Sequence, residues 1–235
     1  MHNDIEGIAF DLDGALYPNY SLNIRLLPFV LKEWRLLSAF GKTREIIRRK
    51  QEEALTLNSQ PSIPQGGFYE YQADITAKIL GVPAQPLKEK IERLMYKGWE
   101  PLFKNIKLYK NVIKTLAGFK NAGFKLGLLS DFPPETKLEY LKISGIWDVV
   151  HCSERSGTIK PHPLSFLKLA EDMGMPCGKI LYVGNSYSYD VKGASRAGMK
   201  TAWIRSPLVI NAGGKKPKPD FSFSSYRQLQ KFMLE

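Results

Sequence analysis

Short apolar segments alternate with longer amphipathic segments through most of the chain. The apolar segments predict buried strands at residues 7–10, 124–129, 148–152, 180–184 and 201–205. Between the later strands, apolar residues recur with helical spacing and predict helices at residues 111–122, 135–144, 163–173 and 188–197. Strands and helices that alternate in this way are joined by right-handed crossovers into a parallel sheet. The pattern therefore predicts an α/β fold with a doubly wound parallel sheet.

The alternation is interrupted once, directly after the first strand. From Pro18 to about Glu100 the apolar residues follow a helical pattern, and the Gly- and Pro-containing stretch 60–67 divides it. Pro28 is expected near a helix start or a kink because proline cannot donate a helical hydrogen bond. We predict a helical domain at residues 18–100, inserted into a core made of residues 1–17 and 101–235.

The composition is that of an ordinary globular protein. The chain is 43% hydrophobic and 24% charged, which argues against a disordered or fibrous protein. No apolar run approaches the roughly 20 residues of a membrane span, and the first residues are acidic where a signal peptide is basic. The two cysteines are too few for a disulfide framework. We therefore expect a cytoplasmic protein with no membrane partner.

The formal net charge of +11 favours acidic partners. The basic residues are dispersed, and the two tight runs at residues 48–50 and 215–218 are not interleaved with aromatic residues as a nucleic-acid groove would be. We interpret both runs as solvated surfaces and do not expect a nucleic-acid partner. Composition alone does not otherwise choose among phosphorylated metabolites, nucleic acids and membrane surfaces as the acidic partner.

Polar side chains follow the predicted strands at the point where each strand ends. They are Asp11 and Asp13 after the first strand, Ser130 and Asp131 after the second, and Asn185 and Asp190 after the fourth, with Lys160 on a segment that returns to the same edge. Ligands of open parallel sheets bind at this edge. Carboxylate and carbonyl oxygens suit Mg²⁺, and a lysine and a hydroxyl suit the oxygens of a phosphoryl group. The edge therefore predicts phosphoryl chemistry with Mg²⁺.

Asp11 and Asp13 are two residues apart, so an extended backbone would point both side chains to the same side. One carboxylate can then attack while its neighbour transfers protons, as in catalysis through an aspartyl-phosphate. An isolated Asp-x-Asp is commonly a turn with capping carboxylates, so this pair alone does not establish the chemistry.

Four motifs in order resemble those of the haloacid dehalogenase superfamily. They are residues 10–18, Ser130, residues 160–163, and residues 183–190 with the small residues that follow at 193–194 and 197–198. Four ordered motifs are a strong signal, whereas any one of them would be weak. The resemblance covers essentially the whole chain and sets the helical insert in the position of the family's first type of cap. It implies a Rossmann-like core and a phosphatase-like hydrolase.

The resemblance also implies a role for each candidate residue. Asp11 would be the nucleophile, Asp13 the general acid and base, and Lys160 the cation that balances charge between phosphate and nucleophile. The substrate-binding set would be Gly14, Ser130, Asp131 and Lys160. The Mg²⁺ ligands would be Asp11, the main-chain carbonyl of Asp13, Asp190 and Asn185.

Two residues depart from the family pattern. Ala15 stands where the family usually has threonine, which removes a supporting hydroxyl from the first motif. Asn185 stands at the first acidic position of the fourth motif, which keeps an oxygen ligand but loses a negative charge. We expect less precise positioning and weaker metal binding, and we still favour an active enzyme because neither residue is a reacting group.

The sequence thus predicts a Mg²⁺-dependent phosphatase, a monomer or a homodimer, that acts on a small phosphorylated metabolite beneath its helical insert. Sugar phosphates, nucleoside monophosphates and phosphoglycolate-like acids all remain open as substrates. A hydrolytic dehalogenase is an alternative, although dehalogenases of the family lack the second aspartate that Asp13 supplies. A phosphomutase and a catalytically weakened protein that binds phosphate or a partner are two further alternatives.

Overall fold

A six-stranded parallel sheet forms the centre of the protein. The computed structural model describes residues 4–59, 67–205 and 216–235. The strands are β1 (Gly7–Phe10), β2 (Lys125–Ser130), β3 (Val149–Cys152), β4 (Ile180–Gly184), β5 (Lys200–Ile204) and β6 (Phe221–Phe223), in the spatial order β3-β2-β1-β4-β5-β6. The strand order reverses at β1, which pairs with β2 on one side and β4 on the other. The carboxyl end of β1 is therefore the place where a ligand site is expected.

The chain between β1 and β2 is helical. It forms α1 (Asn19–Thr56), α2 (Gly67–Leu80) and α3 (Ala84–Ile91), followed by a π-helical turn at Glu92–Lys97 and a 3₁₀ turn at Glu100–Asn105. These helices share a small apolar core of their own, with Leu36, Phe40, Ala73, Ala77 and Leu87 among its buried members. A helical segment thus follows the first strand as expected, while its division into a separate domain at residues 18–100 stays a prediction.

Among the described residues, five more α-helices follow β1 and the insert: α4 (Val112–Asn121), α5 (Glu135–Tyr140), α6 (Pro163–Asp172), α7 (Lys192–Arg196) and α8 (Tyr226–Leu234). Side chains of β1 alternate between the two faces of the sheet. Ile8 and Phe10 join the apolar cluster that contains residues of α4 and α8, and Ala9 joins the cluster that contains residues of α6 and α7. The predicted doubly wound α/β fold is confirmed, with helices on both faces of a parallel sheet.

Several boundaries differ from those predicted. The sheet gains a sixth strand, Phe221–Phe223, that the apolar pattern did not indicate. The helix predicted to reach residue 144 ends at Tyr140, because Lys142 adopts a positive φ of 57° that a right-handed helix cannot contain. The helix predicted at 188–197 is a π-helical turn, Tyr187–Val191, followed by α7.

The segment α1 contains Pro28 and departs from helical geometry at Glu33, where φ is −118° and ψ is 27°, so two helical stretches meet there at a kink. Most of the stretch that was expected to interrupt the helices, residues 60–66, lies outside the described residues. None of the helices in the described ranges is both long and apolar enough to cross a membrane.

Candidate active site

Asp11 lies at the carboxyl end of β1, in the middle of the sheet. Its main-chain N–H donates to the carbonyl of Val183 on β4 (2.9 Å), which anchors the loop that begins there. The residue is only 5% exposed, and its Oδ1 atom lies 2.5 Å from Nζ of Lys160. Burial raises the pKa of the Asp11 carboxyl, and the ammonium of Lys160 opposes that rise. A bound divalent cation would add to the effect of Lys160 and favour the ionised carboxylate.

Lys160 joins two buried carboxylates. Its Nζ atom donates to Oδ1 of Asp11 and to Oδ1 of Asp190, the second over 2.8 Å. Burial on its own would lower the pKa of Lys160, but the two carboxylates outweigh it and hold that pKa well above its usual value. The side chain is therefore an ammonium ion fixed beside Asp11, and its role in balancing the charge of a phosphate stays a prediction.

The loop after β4 brings Asp190 to this lysine. A Cβ atom on Gly184 would lie 2.3 Å from Cβ of Asp190, so only glycine allows the close approach. The Oδ2 atom of Asp190 accepts a hydrogen bond from the main-chain N–H of Ser186 (2.8 Å), and its Oδ1 atom accepts from Lys160. Both oxygens of Asp190 thus have a partner from the protein.

Asp13 has different neighbours from Asp11. The strand ends at Phe10, so the alternation of strand side chains does not govern these two residues. The carboxylate of Asp13 accepts from Nζ of Lys137 (2.8 and 3.2 Å) and from the hydroxyl of Tyr17 (2.5 Å). Burial on its own would raise the pKa of Asp13, but Lys137 and the Tyr17 hydroxyl outweigh it and hold that pKa below its usual value.

Ser130 ends β2 with its hydroxyl facing no protein partner. The residue is 1% exposed, and its Oγ atom has no hydrogen-bond partner among the described residues. A buried hydroxyl without a partner costs free energy unless a ligand or a water satisfies it. The hydroxyl of Ser130 is thus free to bind a ligand, and its contact with a phosphoryl group stays a prediction.

Gly14 and Asn185 meet beside the two aspartates. Gly14 has a φ of +92°, and a Cβ atom there would lie 2.4 Å from Nδ2 of Asn185, so this position requires glycine. The other end of the Asn185 amide lies 3.1 Å from Oδ2 of Asp11 and 3.2 Å from the main-chain oxygen of Asp13. Gly14 thus contributes the space that lets Asn185 approach, whereas its part in substrate binding stays a prediction.

The oxygens beside Asn185 fit a small hard cation. In one orientation the N–H₂ group of Asn185 donates to the two neighbouring oxygens. In the other orientation the amide oxygen faces those two oxygens, which is favourable when a cation lies between the three oxygen atoms. Oxygen ligands about 3 Å apart suit the octahedral shell of Mg²⁺, whose bonds are about 2.1 Å long. Within the described ranges no three His, Cys, Asp or Glu side chains form a metal cluster, so this set relies on amide and main-chain oxygens as well.

Asp131 is occupied by the protein itself. Its Oδ1 atom accepts from the main-chain N–H of Lys160 (2.9 Å), and its Oδ2 atom contacts the guanidinium groups of Arg44 and Arg48 (3.1 and 3.3 Å). Because both carboxylate oxygens already have partners, the side chain of Asp131 holds the helical insert and the Lys160 loop together. Contact between Asp131 and substrate stays a prediction.

The helix α1 carries a row of polar side chains that sequence reasoning missed. Arg44 forms a buried ion pair with Glu154 and also donates to Gln72 of α2 (3.1 Å). Gln51 exchanges hydrogen bonds with the carbonyl of Gly157 (3.2 Å) and the N–H of Ile159 (3.3 Å). These contacts join the helical insert to the loop that leads to Lys160.

Arg48 corrects our interpretation of the basic run at residues 48–50. Arg49 and Lys50 are exposed, whereas Arg48 is half-buried, donates to the carbonyl of Lys160 (2.9 Å) and stacks on the ring of Tyr189, 4.2 Å from its centre. The signal that could have found it is helical spacing. Arg44, Arg48 and Gln51 recur every three or four residues and share one face of α1.

We expect the variant Arg44→Met to lower the free energy of unfolding by about 3 kcal/mol, because it leaves the fully buried carboxylate of Glu154 without its cation. Urea denaturation followed by circular dichroism measures the change. Arg49→Met is the matched control, since that exposed side chain makes only a surface ion pair with Glu53 and its loss should cost less than about 0.5 kcal/mol. Equal stability of the two variants would contradict the prediction.

The fold and the site together define a doubly wound α/β hydrolase with a helical insert after its first strand. Residues 5–198 match the haloacid dehalogenase-like hydrolase family. The chain belongs to this family, so the resemblance drawn from the four motifs is confirmed.

The comparisons also find similar individual proteins. The chain is 28% identical over 231 residues to the glyceraldehyde 3-phosphate phosphatase of Methanopyrus kandleri, covering 96% of this chain and 95% of that protein. It is 26% identical over 246 residues to the phosphoglycolate phosphatase of Escherichia coli, covering 96% and 91%. Among solved structures, the 2-haloacid dehalogenase of Pseudomonas syringae shares the fold with a TM-score of 0.64 at 19% identity, covering 97% of each chain.

Proposed function

We propose that this hydrolase is a Mg²⁺-dependent phosphatase that removes phosphate from a small phosphorylated metabolite through an aspartyl-phosphate. The observation that carries the proposal is the pairing of two carboxylates with two different cations. Asp11 lies against Lys160, and Asp13 lies against Lys137 and Tyr17. One carboxylate is thus set up to attack, and the other to exchange protons.

In the first step Asp11 attacks phosphorus. The hydroxyl of Ser130 donates to a phosphoryl oxygen, and Lys160 stabilises the negative charge that spreads over the phosphoryl group. The negative charge of the bound phosphate opposes Lys137 and favours the protonated form of Asp13, which gives its proton to the oxygen of the leaving alcohol as the bond from that oxygen to phosphorus breaks. Tyr17 and Lys137 hold the carboxyl of Asp13 in place for this transfer.

In the second step a water molecule replaces the alcohol. Asp13, now ionised, accepts a proton from the water as the water attacks the phosphorus of the aspartyl-phosphate. The bond to Asp11 breaks, and the free carboxylate returns to Lys160. Inorganic phosphate leaves, and Asp13 again holds the proton that the next cycle needs.

Mg²⁺ would be held by Asp11, the main-chain oxygen of Asp13 and the amide oxygen of Asn185, and Asp190 is proposed as a member of the same set. When bound, the ion neutralises phosphoryl charge and orients the phosphate. Because Asn185 is neutral where the family pattern has a carboxylate, we expect weaker binding of the ion than at a site with a third carboxylate.

The contacts of the insert are consistent with a small substrate. Arg44, Arg48 and Gln51 fasten α1 to the loops beside Lys160, so the insert is tied to the chain next to the candidate nucleophile. Two of the similar proteins carry names that specify phosphoglycolate and glyceraldehyde 3-phosphate, both small phosphate esters. We propose a substrate of this size and class. We also propose that residues 18–100 act as a cap that excludes bulk water from the site.

A dehalogenase shares the fold, yet Asp13 favours the phosphatase. Hydrolysis of a carbon–halogen bond needs no proton for its leaving halide, so a second carboxylate held by Lys137 and Tyr17 would have no leaving group to protonate. A phosphomutase would keep the phosphate on its product.

A screen of small phosphate esters tests the proposal. We expect release of inorganic phosphate from small esters in the presence of Mg²⁺ and its loss in excess chelator, with recovery when Mg²⁺ is added back. Phosphoglycolate, glyceraldehyde 3-phosphate, a hexose phosphate and a nucleoside monophosphate form the panel, and 2-chloropropionate with halide detection tests the dehalogenase. Full activity in excess chelator would contradict the metal requirement, and halide release without phosphate release would contradict the phosphatase.

A further inference from the structure

The first half of α1 carries apolar side chains on two different faces. One face points into the protein: Leu22 packs against the apolar cluster of the core, Phe29 packs against that of the insert, and Leu26 is buried. The other face bears Tyr20, Ile24, Leu27 and Leu31, which are 66%, 66%, 56% and 73% exposed. A helix that is apolar on both sides is normally buried on both sides.

The exposed residues form a continuous stripe, which we call the α1 seam (Tyr20, Ile24, Leu27 and Leu31). They are spaced by four, three and four residues, which places all four side chains along one edge of the helix. Helices that pair in coiled coils use the same spacing. Trp34, 62% exposed, continues the same spacing just beyond the bend at Glu33. Soluble monomers rarely expose a contiguous patch of large apolar side chains, whereas single exposed ones are common.

We propose that the α1 seam is a homodimer interface in which α1 of a second copy of this chain packs antiparallel. In that arrangement Tyr20 faces Leu31 of the second copy, and Ile24 faces Leu27 of the second copy. Each contact then occurs twice about a twofold axis, so a single patch is complementary to itself. The seam needs no other partner to be covered.

The charges around the seam favour a second copy over other occupants. The positions that flank the stripe are Ser21, Asn23, Pro28 and Val30, all of them uncharged. Because the whole chain carries a net charge of +11, two copies repel each other over most of their surfaces and can approach best where charge is absent. An amphipathic helix that binds an anionic membrane instead carries lysine and arginine beside its apolar stripe.

The nearest basic residues lie farther round the helix or beyond the end of the seam, where Arg35 follows the bend at Glu33. Arg25 donates to the carbonyls of Ser21 (2.6 Å) and Asn105 (2.9 Å), so its guanidinium is directed at its own chain. Lys32 occupies the corresponding position two turns later. The proposed pairing therefore opposes no like charges along the four residues of the seam.

Sedimentation velocity over a range of protein concentrations tests the proposal on the whole chain. We expect the wild type to sediment as a dimer of the 26.7 kDa chain at high concentration and to dissociate on dilution, since a seam of four side chains is smaller than the roughly 800 Å² per partner of a standard interface. Leu27→Lys should raise the dissociation constant at least tenfold, because the lysine faces Ile24 of the second copy. Circular dichroism checks that the variant is folded.

Two further variants make the result specific. Leu57→Lys, at a residue that is 76% exposed just beyond the end of α1, is the matched control and should leave the dimer unchanged. The double variant Ile24→Glu/Leu27→Lys faces opposite charges across the antiparallel pair and should restore dimerisation at low salt. A wild type that stays monomeric at high concentration, or a Leu27→Lys protein that dimerises like the wild type, overturns the proposal. Binding of a monomeric wild type to phosphatidylserine vesicles would assign the seam to a membrane instead.

Discussion

Replacement of Asp11 with asparagine should reduce phosphatase turnover by roughly 10⁵-fold or more, because the amide has no charged oxygen with which to attack phosphorus. The variant should still fold, since Lys160 keeps the carboxylate of Asp190 at 2.8 Å. No phosphate should be transferred to the protein from a labelled ester. Release of inorganic phosphate and retention of label on acid-quenched protein are the two measurements.

A half-buried aspartate of the insert provides the matched control for this substitution. Asp74→Asn on α2 should leave both turnover and labelling unchanged, because Asp74 is not among the hydrogen-bond partners of Asp11, Asp13 or Lys160. If the Asp11 variant retained turnover within tenfold of the wild type, or if label appeared on a different residue, the aspartyl-phosphate would be the wrong mechanism. The protein that binds phosphate or a partner without turnover would then be the better hypothesis.

Apolar periodicity carried most of the fold prediction. Strands that are buried on both sides have short continuous apolar sequences, as in Gly7–Phe10 and Ile180–Gly184. The sequence therefore predicted the ends of these strands to within one residue. The strand Phe221–Phe223 was not predicted, because it lies at the edge of the sheet, is only three residues long and has a serine between its two phenylalanines. A pattern that short has no measurable period.

The sequence motifs identified the candidate site residues, but the sequence did not identify the side chains that contact them. Asp11, Lys160 and Asp190 meet because parallel strands bring their carboxyl ends to one edge, a rule that holds for any sequence of this topology. Lys137 reaches Asp13 from 124 positions along the chain. Arg44 reaches Glu154 from 110 positions along the chain. Such contacts depend on tertiary geometry and leave no local signal.

Ala15 shows how a departure from the family pattern is accommodated. The sequence suggested that loss of a threonine hydroxyl would loosen the loop after β1. In the structure Ala15 is fully buried, and its carbonyl accepts a hydrogen bond from the hydroxyl of Tyr226 on α8 (2.7 Å). The loop is thus braced through its main chain, although the effect of Ala15 on activity stays untested.

Replacement of Asp13 with asparagine should separate the two half-reactions. The variant keeps Asp11 and Lys160 in contact but has no group to protonate the leaving alcohol or to activate water. Each lost proton transfer should slow its step by roughly 10²–10⁴-fold. With an alkyl phosphate both steps need Asp13, so turnover should fall and little phosphoenzyme should form.

With an aryl phosphate the first step no longer needs Asp13, because a phenolate leaves without a proton. Phosphorylation of Asp11 should then be partly rescued in the Asp13→Asn protein while hydrolysis stays slow, so a burst of phenol followed by labelled protein is expected. Lys137→Met is the comparison variant: it removes the cation that holds Asp13 but leaves the carboxyl, so it should slow both steps less and trap no phosphoenzyme. If the Asp13 variant accumulated no label with the aryl ester, or if it hydrolysed both esters like the wild type, Asp13 would not be the group that transfers the proton in either step.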